Sequence, residues 1–275
     1  MDSSYPIRTK PGFKEVQAAL FGQQSRPVMA ERQLEQRLCE QLIWRRGAHL
    51  WRDEATALAT QADGCRLSGF GAVTAILSDG GFAALAALQA SLPANMGVIA
   101  GFQNGPAAGG ADAAMQNFLE NIRRLSAQLA GAGAVRIRTA LPEDKGFRRE
   151  VKACLSDCCK AAKAQGLPVI WDDQAAAPAP LEEIAGLPFD AVWLSERYPF
   201  STGEAIRRYG KRFGLLGRTD FARLLTLKPM DIIDDFRQLW ELSAGKGYLF
   251  GSGGEGAPIP YLTFLSMLTA LERLA

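Results

Sequence analysis

The stretch that decides the fold is Gly247-Tyr248-Leu249-Phe250-Gly251-Ser252-Gly253-Gly254-Glu255. Three apolar residues bounded by glycines read as a short buried strand. Pro258 and Pro260 then mark a turn, after which Leu262, Leu265, Met267, Leu268 and Leu271 give a closing helix an apolar face. This is the pattern of the last β/α unit of a barrel. Glycines directly after a parallel strand let backbone approach a ligand at the strand's carboxyl end, where barrel enzymes keep their sites.

Working outward, short apolar runs recur with helical periodicity between them, as in parallel strands joined by crossover helices. Strands are expected at 27–30, 64–68, 97–101, 135–139, 168–172, 191–195, 214–217 and 247–251. Eight strands predict one α/β domain of the (β/α)8 TIM-barrel type over residues 1–275, with 1–25 as an N-terminal extension and helix. A chain of 275 residues suits that fold, which commonly needs about 250. Residues 117–129 predict a helix with Phe118, Ile122, Leu125 and Leu129 on one face, and residues 231–242 another with Ile232, Ile233, Phe236, Leu239 and Trp240. The passage Asn104-Gly105-Pro106-Ala107-Ala108-Gly109-Gly110 reads as flexible.

Composition narrows the partners. Thirty-one Lys and Arg against 29 Asp and Glu leave a formal charge of +2, so no general field draws the chain to nucleic acid or an anionic membrane. The first twenty residues, with Asp2, Arg8, Lys10, Lys14 and Glu15, lack the apolar core of a secretory signal. No apolar run approaches the roughly 20 residues of a membrane span. Five cysteines without a framework spacing fit a reducing compartment. The expected location is the cytoplasm, without nucleic-acid or membrane partners.

Lys14-Glu15-Val16-Gln17-Ala18-Ala19-Leu20, Arg26-Pro27-Val28, Met96-Gly97-Val98-Ile99-Ala100-Gly101, Arg208-Tyr209-Gly210, Leu215-Leu216-Gly217-Arg218-Thr219-Asp220 and the closing stretch carry a resemblance. Together they resemble the uroporphyrinogen decarboxylase superfamily, which includes the corrinoid and coenzyme M methyltransferases. The resemblance implies a tetrapyrrole-like small molecule as ligand and decarboxylation as the reaction. Its alternatives are a zinc-independent methyltransferase served by cobalamin on a corrinoid protein, and a non-catalytic binding or assembly member. The decarboxylase branch also implies a homodimer. No cofactor of the chain's own is expected.

The same resemblance assigns residues. Arg32-Gln33 matches the first half of the decarboxylases' Arg-Gln-Ala-Gly-Arg, with Gln36 where the second arginine stands and Arg37 beside it; guanidiniums there would bind substrate carboxylates. A solvated helix face of Glu31, Arg32, Glu35 and Gln36 is the alternative. Ser78-Asp79 is similar to the family's strand-end Ser-Asp, whose carboxylate offsets a developing cation, although the strand count makes it a loop in which Asp79 caps a helix. The methyltransferases' zinc-binding His-x-Cys aligns with Trp171-Asp172-Asp173, so neither ligand is present. His49, the only histidine, reads as a surface residue. Cys154 and Cys158 share a helix face but lack further ligands, and read as buried and inert.

Polar residues remain at the strand ends: Arg138, Asp172 and Asp173, Ser195-Glu196-Arg197, Arg218 and Asp220, and Ser252 with Glu255. Parallel strand order makes them neighbours around one rim, able to hold acid/base pairs, to bind a divalent cation through oxygen ligands, or to form a self-neutralised salt-bridge ring. Asp79, Asp173 and Glu196 are the catalytic candidates. Arg32, Arg37, Arg138, Asp172, Arg218, Asp220, Ser252 and Glu255 are the substrate-binding candidates, and no residue is expected to bind a metal.

Overall fold

The computed structural model describes residues 12–23, 26–30, 34, 36–77, 81–102, 120–121, 123, 133–139, 141, 145–173, 180–195, 197–217, 221–244, 247–251 and 259–275. Seven strands, β1 (Ala72–Leu77), β2 (Gly97–Phe102), β3 (Gly133–Thr139), β4 (Val169–Asp173), β5 (Ala191–Trp193), β6 (Gly214–Leu216) and β7 (Tyr248–Leu249), form one sheet in chain order. Every neighbouring pair is parallel. Beyond β7 the segment 27–30 continues the sheet through a parallel bridge between Met29 and Phe250, where Ala30 N–H donates to Phe250 O at 2.9 Å and Phe250 N–H to Val28 O at 2.9 Å.

Side-chain alternation separates two cores. Val28, Ala30, Ala72, Ile99, Ala134, Ile170, Ala191, Trp193, Leu216 and Leu249 share one buried cluster inside the curved sheet. Their chain neighbours Met29, Val73, Val98, Ala100, Val135, Val169, Trp171, Val192, Leu215 and Phe250 belong to the other, between sheet and helices. Because the period is two, a one-residue slip in any strand would exchange the two sets.

Helix α1 (Phe13–Leu20) closes the amino-terminal end of the interior, since Phe13, Val16, Ala19 and Leu20 join the inner cluster. It is fixed by Phe13 N–H donating to Asn95 O at 2.7 Å and by Glu15, which accepts from Gly12 N–H at 2.9 Å and pairs with Arg26 at 2.8 Å. Its last turn lies against β6 with no room for a side chain: a methyl group at Gly214 would sit 2.7 Å from Leu20 O and 3.1 Å from Ala19 O. Gly214→Ala is therefore expected to displace α1 and cost about 1–3 kcal/mol, measured as a shift of the urea midpoint at unchanged slope.

The outer layer comprises α2 (Gln36–Leu42), α3 (Glu54–Leu67), α4 (Gly81–Ser91), α5 (Lys145–Ala164), α6 (Leu181–Ile184), α7 (Thr202–Tyr209), α8 (Phe221–Leu224), α9 (Pro229–Ser243) and α10 (Tyr261–Leu274). The helices expected at 231–242 and after Pro260 are α9 and α10, and Phe236 of α9 stacks on Phe250 with centroids 4.6 Å apart. Most of the helix expected at 117–129 and all of 104–110 lie outside the described residues.

One strand expectation is corrected. Residues 64–67 are the last turn of α3, with Ser68 as its C-cap, and the strand is Ala72–Leu77. Gly64 suggested a strand boundary, but it serves a helix–helix contact: a methyl group there would lie 2.7 Å from Cys39 Sγ and 3.0 Å from Leu34 Cδ1. The stop signal comes later, at Gly69, whose φ of +74° L-residues rarely adopt. In consequence Ser78-Asp79 follows β1 directly in the chain.

Candidate functional site

The buried charges of the interior come from β3 and β4. Val135-Arg136-Ile137-Arg138 alternates, so both arginines face inward while Val135 and Ile137 pack outward. In the sheet register Arg138 stands beside Asp172, which stands beside Trp193, and Arg136 lies one step below beside Ile170. Arg136 Nε donates to Asp172 Oδ2 at 2.7 Å, and its Nη2 donates to the same oxygen. Arg138 Nε lies 3.5 Å from that oxygen as an ion pair. Arg136 and Asp172 have no exposed surface, and Arg138 keeps 8%. The Arg136 guanidinium also lies over the Trp193 ring, 5.0 Å from its centroid, a cation–π contact strengthened by the dry surroundings.

Gly101 of β2 makes space for this cluster. A methyl group there would lie 3.8 Å from Arg136 Cδ and 3.9 Å from Arg138 Cδ, so a side chain longer than alanine would press on both arginines. Charge-assisted bonds to the shared carboxylate fix the Arg136 guanidinium, and the ion pair holds that of Arg138 beside it in the low-dielectric interior. Arg138, level with Asp172 and nearer the strands' carboxyl ends than Arg136, is thereby a positioned cation suited to offset negative charge on a bound molecule.

Of the residues singled out in the sequence, the structure brings Arg138 and Asp172 together. Arg37 lies on the exposed face of α2. Asp173 ends β4, but its side chain, like Arg32, Asp79, Glu196, Arg218, Asp220, Ser252 and Glu255, falls outside the described residues. Next to Glu196, Ser195 is buried and its Oγ accepts from Arg197 N–H at 3.2 Å. Arg136, Trp193 and Gly101 were not singled out. The signal was present for Arg136: two arginines spaced by two in an apolar strand share one face.

The groups set aside in the sequence sit away from this cluster. His49 is exposed on a short 3-10 turn. All five cysteines are free thiols and buried. Burial pushes the Cys158 thiol up, with Cys154 adding to the effect, and raises Cys159 to about 12. Neither is poised as a thiolate nucleophile. No helix among the described residues is long and apolar enough to cross a membrane.

No family model matches the chain, and no curated protein does. Solved structures do resemble it. An L-ribulose 3-epimerase superposes with a TM-score of 0.53 at 16% identity, over 90% of this chain and 90% of the other. A xylose isomerase-like TIM barrel protein from Mycobacterium smegmatis in complex with magnesium gives 0.52 at 14% identity, over 91% and 98%. A sugar phosphate isomerase/epimerase from Parabacteroides distasonis gives 0.51 at 13%, over 92% and 97%.

Magnesium in one neighbour raises the question of a metal here. Among the described residues no three His, Cys, Asp or Glu side chains meet. The buried Asp172 oxygen is already shared by two guanidiniums, whose charge opposes a cation. The described side chains therefore do not fit a divalent ion.

The neighbours also correct the expected family. They are sugar isomerase and epimerase barrels, which overturns the assignment to the uroporphyrinogen decarboxylase superfamily. Tetrapyrrole decarboxylation, corrinoid-linked methyl transfer and a binding role within that superfamily fall with it. Several residues behind the resemblance do work that the packing of the curved parallel sheet itself requires. Val16, Ala19 and Leu20 plug the interior, Gly217 takes a φ of +73°, and a methyl group at Gly251 would lie 2.6 Å from Ala30 O. What the comparisons and the sheet establish together is an α/β protein with a parallel sheet arranged as in TIM barrels.

Proposed function

We propose that the chain is a single-domain (β/α)8 barrel that isomerises or epimerises a phosphorylated sugar at the carboxyl ends of its strands. The observation that carries this reading is the buried Arg136–Asp172–Arg138 cluster, a positioned cation in a largely apolar interior at the end where barrels bind substrates. The reaction class is suggested by the likeness to an L-ribulose 3-epimerase and a sugar phosphate isomerase/epimerase. Closure of the barrel by segment 27–30 is supported on two sides. The segment bonds to Phe250, and residues 26–29 share a small cavity of about 30 Å³ with Ser68, Gly69 and Phe70 at the approach to β1.

In such a reaction a base removes the proton from the carbon next to the sugar carbonyl. The C–H electron pair forms the C=C bond of an enediolate; return of the proton to the same carbon from the opposite face epimerises, and its delivery to the former carbonyl carbon, with the hydroxyl proton passing between the two oxygens, isomerises, so nothing is oxidised overall. Arg138 offsets the enediolate charge, with Asp172 and Arg136 as positioning residues. Asp173 at the end of β4 and Glu196 just after β5 stand in chain position to serve as acid and base. Counting segment 27–30 as the first strand, the loops with Arg218 and Asp220 and with Ser252 and Glu255 follow the seventh and eighth strands, where barrels frequently hold a phosphate.

Titration with D-ribulose 5-phosphate, D-xylulose 5-phosphate and D-fructose 6-phosphate, followed by tryptophan fluorescence, tests the reading. A saturable change with at least one of them is expected, weakened about 10- to 100-fold by Arg138→Ala, because a hydrogen bond to a charged group contributes about 1.5–3 kcal/mol. Binding to none of them, or binding indifferent to Arg138→Ala, contradicts it.

A further inference from the structure

On the face opposite the strands' carboxyl ends, a groove of about 530 Å³ runs between the end of α1, the end of α5 and the turns entering β5 and β6. Leu20, Phe21, Gly22, Phe189 and Phe213 provide its apolar part, and Lys163, Asp190, Lys211 and Arg212 its charged part. Every one of these residues lies in or beside a connection from helix to strand, on the end of a barrel that ordinarily serves stability.

Two features do not fit a purely stabilising surface. Phe21 is 50% exposed, whereas Phe189 and Phe213 beneath it are buried at 7% and 8%. Gly22, with φ of +66°, turns the chain immediately after it. Second, the lining holds three cations against one carboxylate. Asp190 is committed, accepting from Val169 N–H at 2.9 Å and pairing with Lys163 at 2.8 Å. Arg212 donates to Ala185 O at 3.2 Å, which fixes its guanidinium at the surface. Glu182 outside the lining accepts from Tyr209 and interacts with both Arg208 and Arg212, which leaves Lys211 as the cation with no acidic partner among the described residues of the lining. The positive excess is therefore built into the groove, while the chain as a whole is close to neutral.

We infer that this groove is a docking site for an acidic segment of a partner protein, one carrying an apolar anchor residue among Asp and Glu. The apolar anchor covers Phe21 beside Phe189 and Phe213, and the flanking carboxylates face Lys211 and Arg212. The chemistry is complementary in both respects: an aromatic anchor point of the kind that dominates interface energetics, and rim charges that speed encounter and select the sign of the partner. The groove lies opposite the proposed catalytic end, so partner and substrate can be bound together.

The test uses the full chain and a fluorescein-labelled peptide, Asp-Glu-Asp-Leu-Phe-Glu-Asp-Glu, read by fluorescence anisotropy. Saturable binding is expected at low salt, weakened at least about tenfold by Lys211→Glu/Arg212→Glu and separately by Phe21→Ser, and weakened by salt as charge steering requires. The peptide with lysine at each acidic position is expected not to bind. Circular dichroism and the urea midpoint of both variants, whose changed side chains are exposed, check that they remain folded. The inference is overturned by no saturable binding up to millimolar peptide, by equal binding of the lysine peptide, by indifference to both variants, or by complete displacement with an equal charge of inorganic tripolyphosphate, which would make the groove a site for free phosphates.

Discussion

Replacing Asp172 by leucine is expected to lower the unfolding free energy by about 3–5 kcal/mol, because it strands buried guanidiniums that the carboxylate had balanced. The effect is large because Arg136 has no exposed surface. Its charge has no access to water once the carboxylate is gone. Adding Arg136→Met to Asp172→Leu removes the more deeply buried cation and is expected to recover at least about half of the loss, since an apolar replacement of a buried pair is often neutral. Urea unfolding of the single and double variants at constant slope measures both steps. A single variant within about 1 kcal/mol of the parent would mean that the cluster is not held by this carboxylate.

The second large effect is expected on the other face of the same strand. Trp171 is completely buried and packs on Phe189 at 5.2 Å between centroids. Trp171→Ala should cost about 3–5 kcal/mol through lost contacts and the cavity left behind. Trp171→Phe should behave differently. The indole Nε1 is buried without a hydrogen-bond partner among the described residues, and removing such a donor recovers about 1–3 kcal/mol of desolvation cost. That gain offsets most of the smaller cavity, so Trp171→Phe is expected within about 1 kcal/mol of the parent. Thermal and urea melts of the two variants separate the packing contribution from the polar one. Equal losses in both would show that the indole nitrogen is not the costly group.

The parallel architecture was legible because its strands are short apolar runs between glycines and helical segments, and in seven of the eight expected positions that punctuation matched the sheet or its continuation at 27–30. It failed at Gly64, where a helix–helix contact forbids a Cβ and imitates a turn. Arg138 and Asp172 were readable as strand-end polar residues. Arg136 was passed over because it lies one step below the strand end, although the alternation of β3 places it on the same face. The family assignment went astray for a related reason. A plugging helix and close-approach glycines are demands of a curved parallel sheet, and they say little about chemistry.

The most direct test of the proposed chemistry is deuterium incorporation. Pentose and hexose phosphates incubated with the protein in D2O are expected to gain deuterium at the carbon next to the carbonyl, seen as loss of that proton's NMR signal. Exchange should fall by about 10²- to 10⁴-fold in Asp173→Asn or Glu196→Gln, the range for losing a general acid or base, and should fall in Arg138→Ala. Incorporation into none of these sugars, or exchange that survives all three substitutions, would contradict an isomerase or epimerase at the carboxyl ends of these strands.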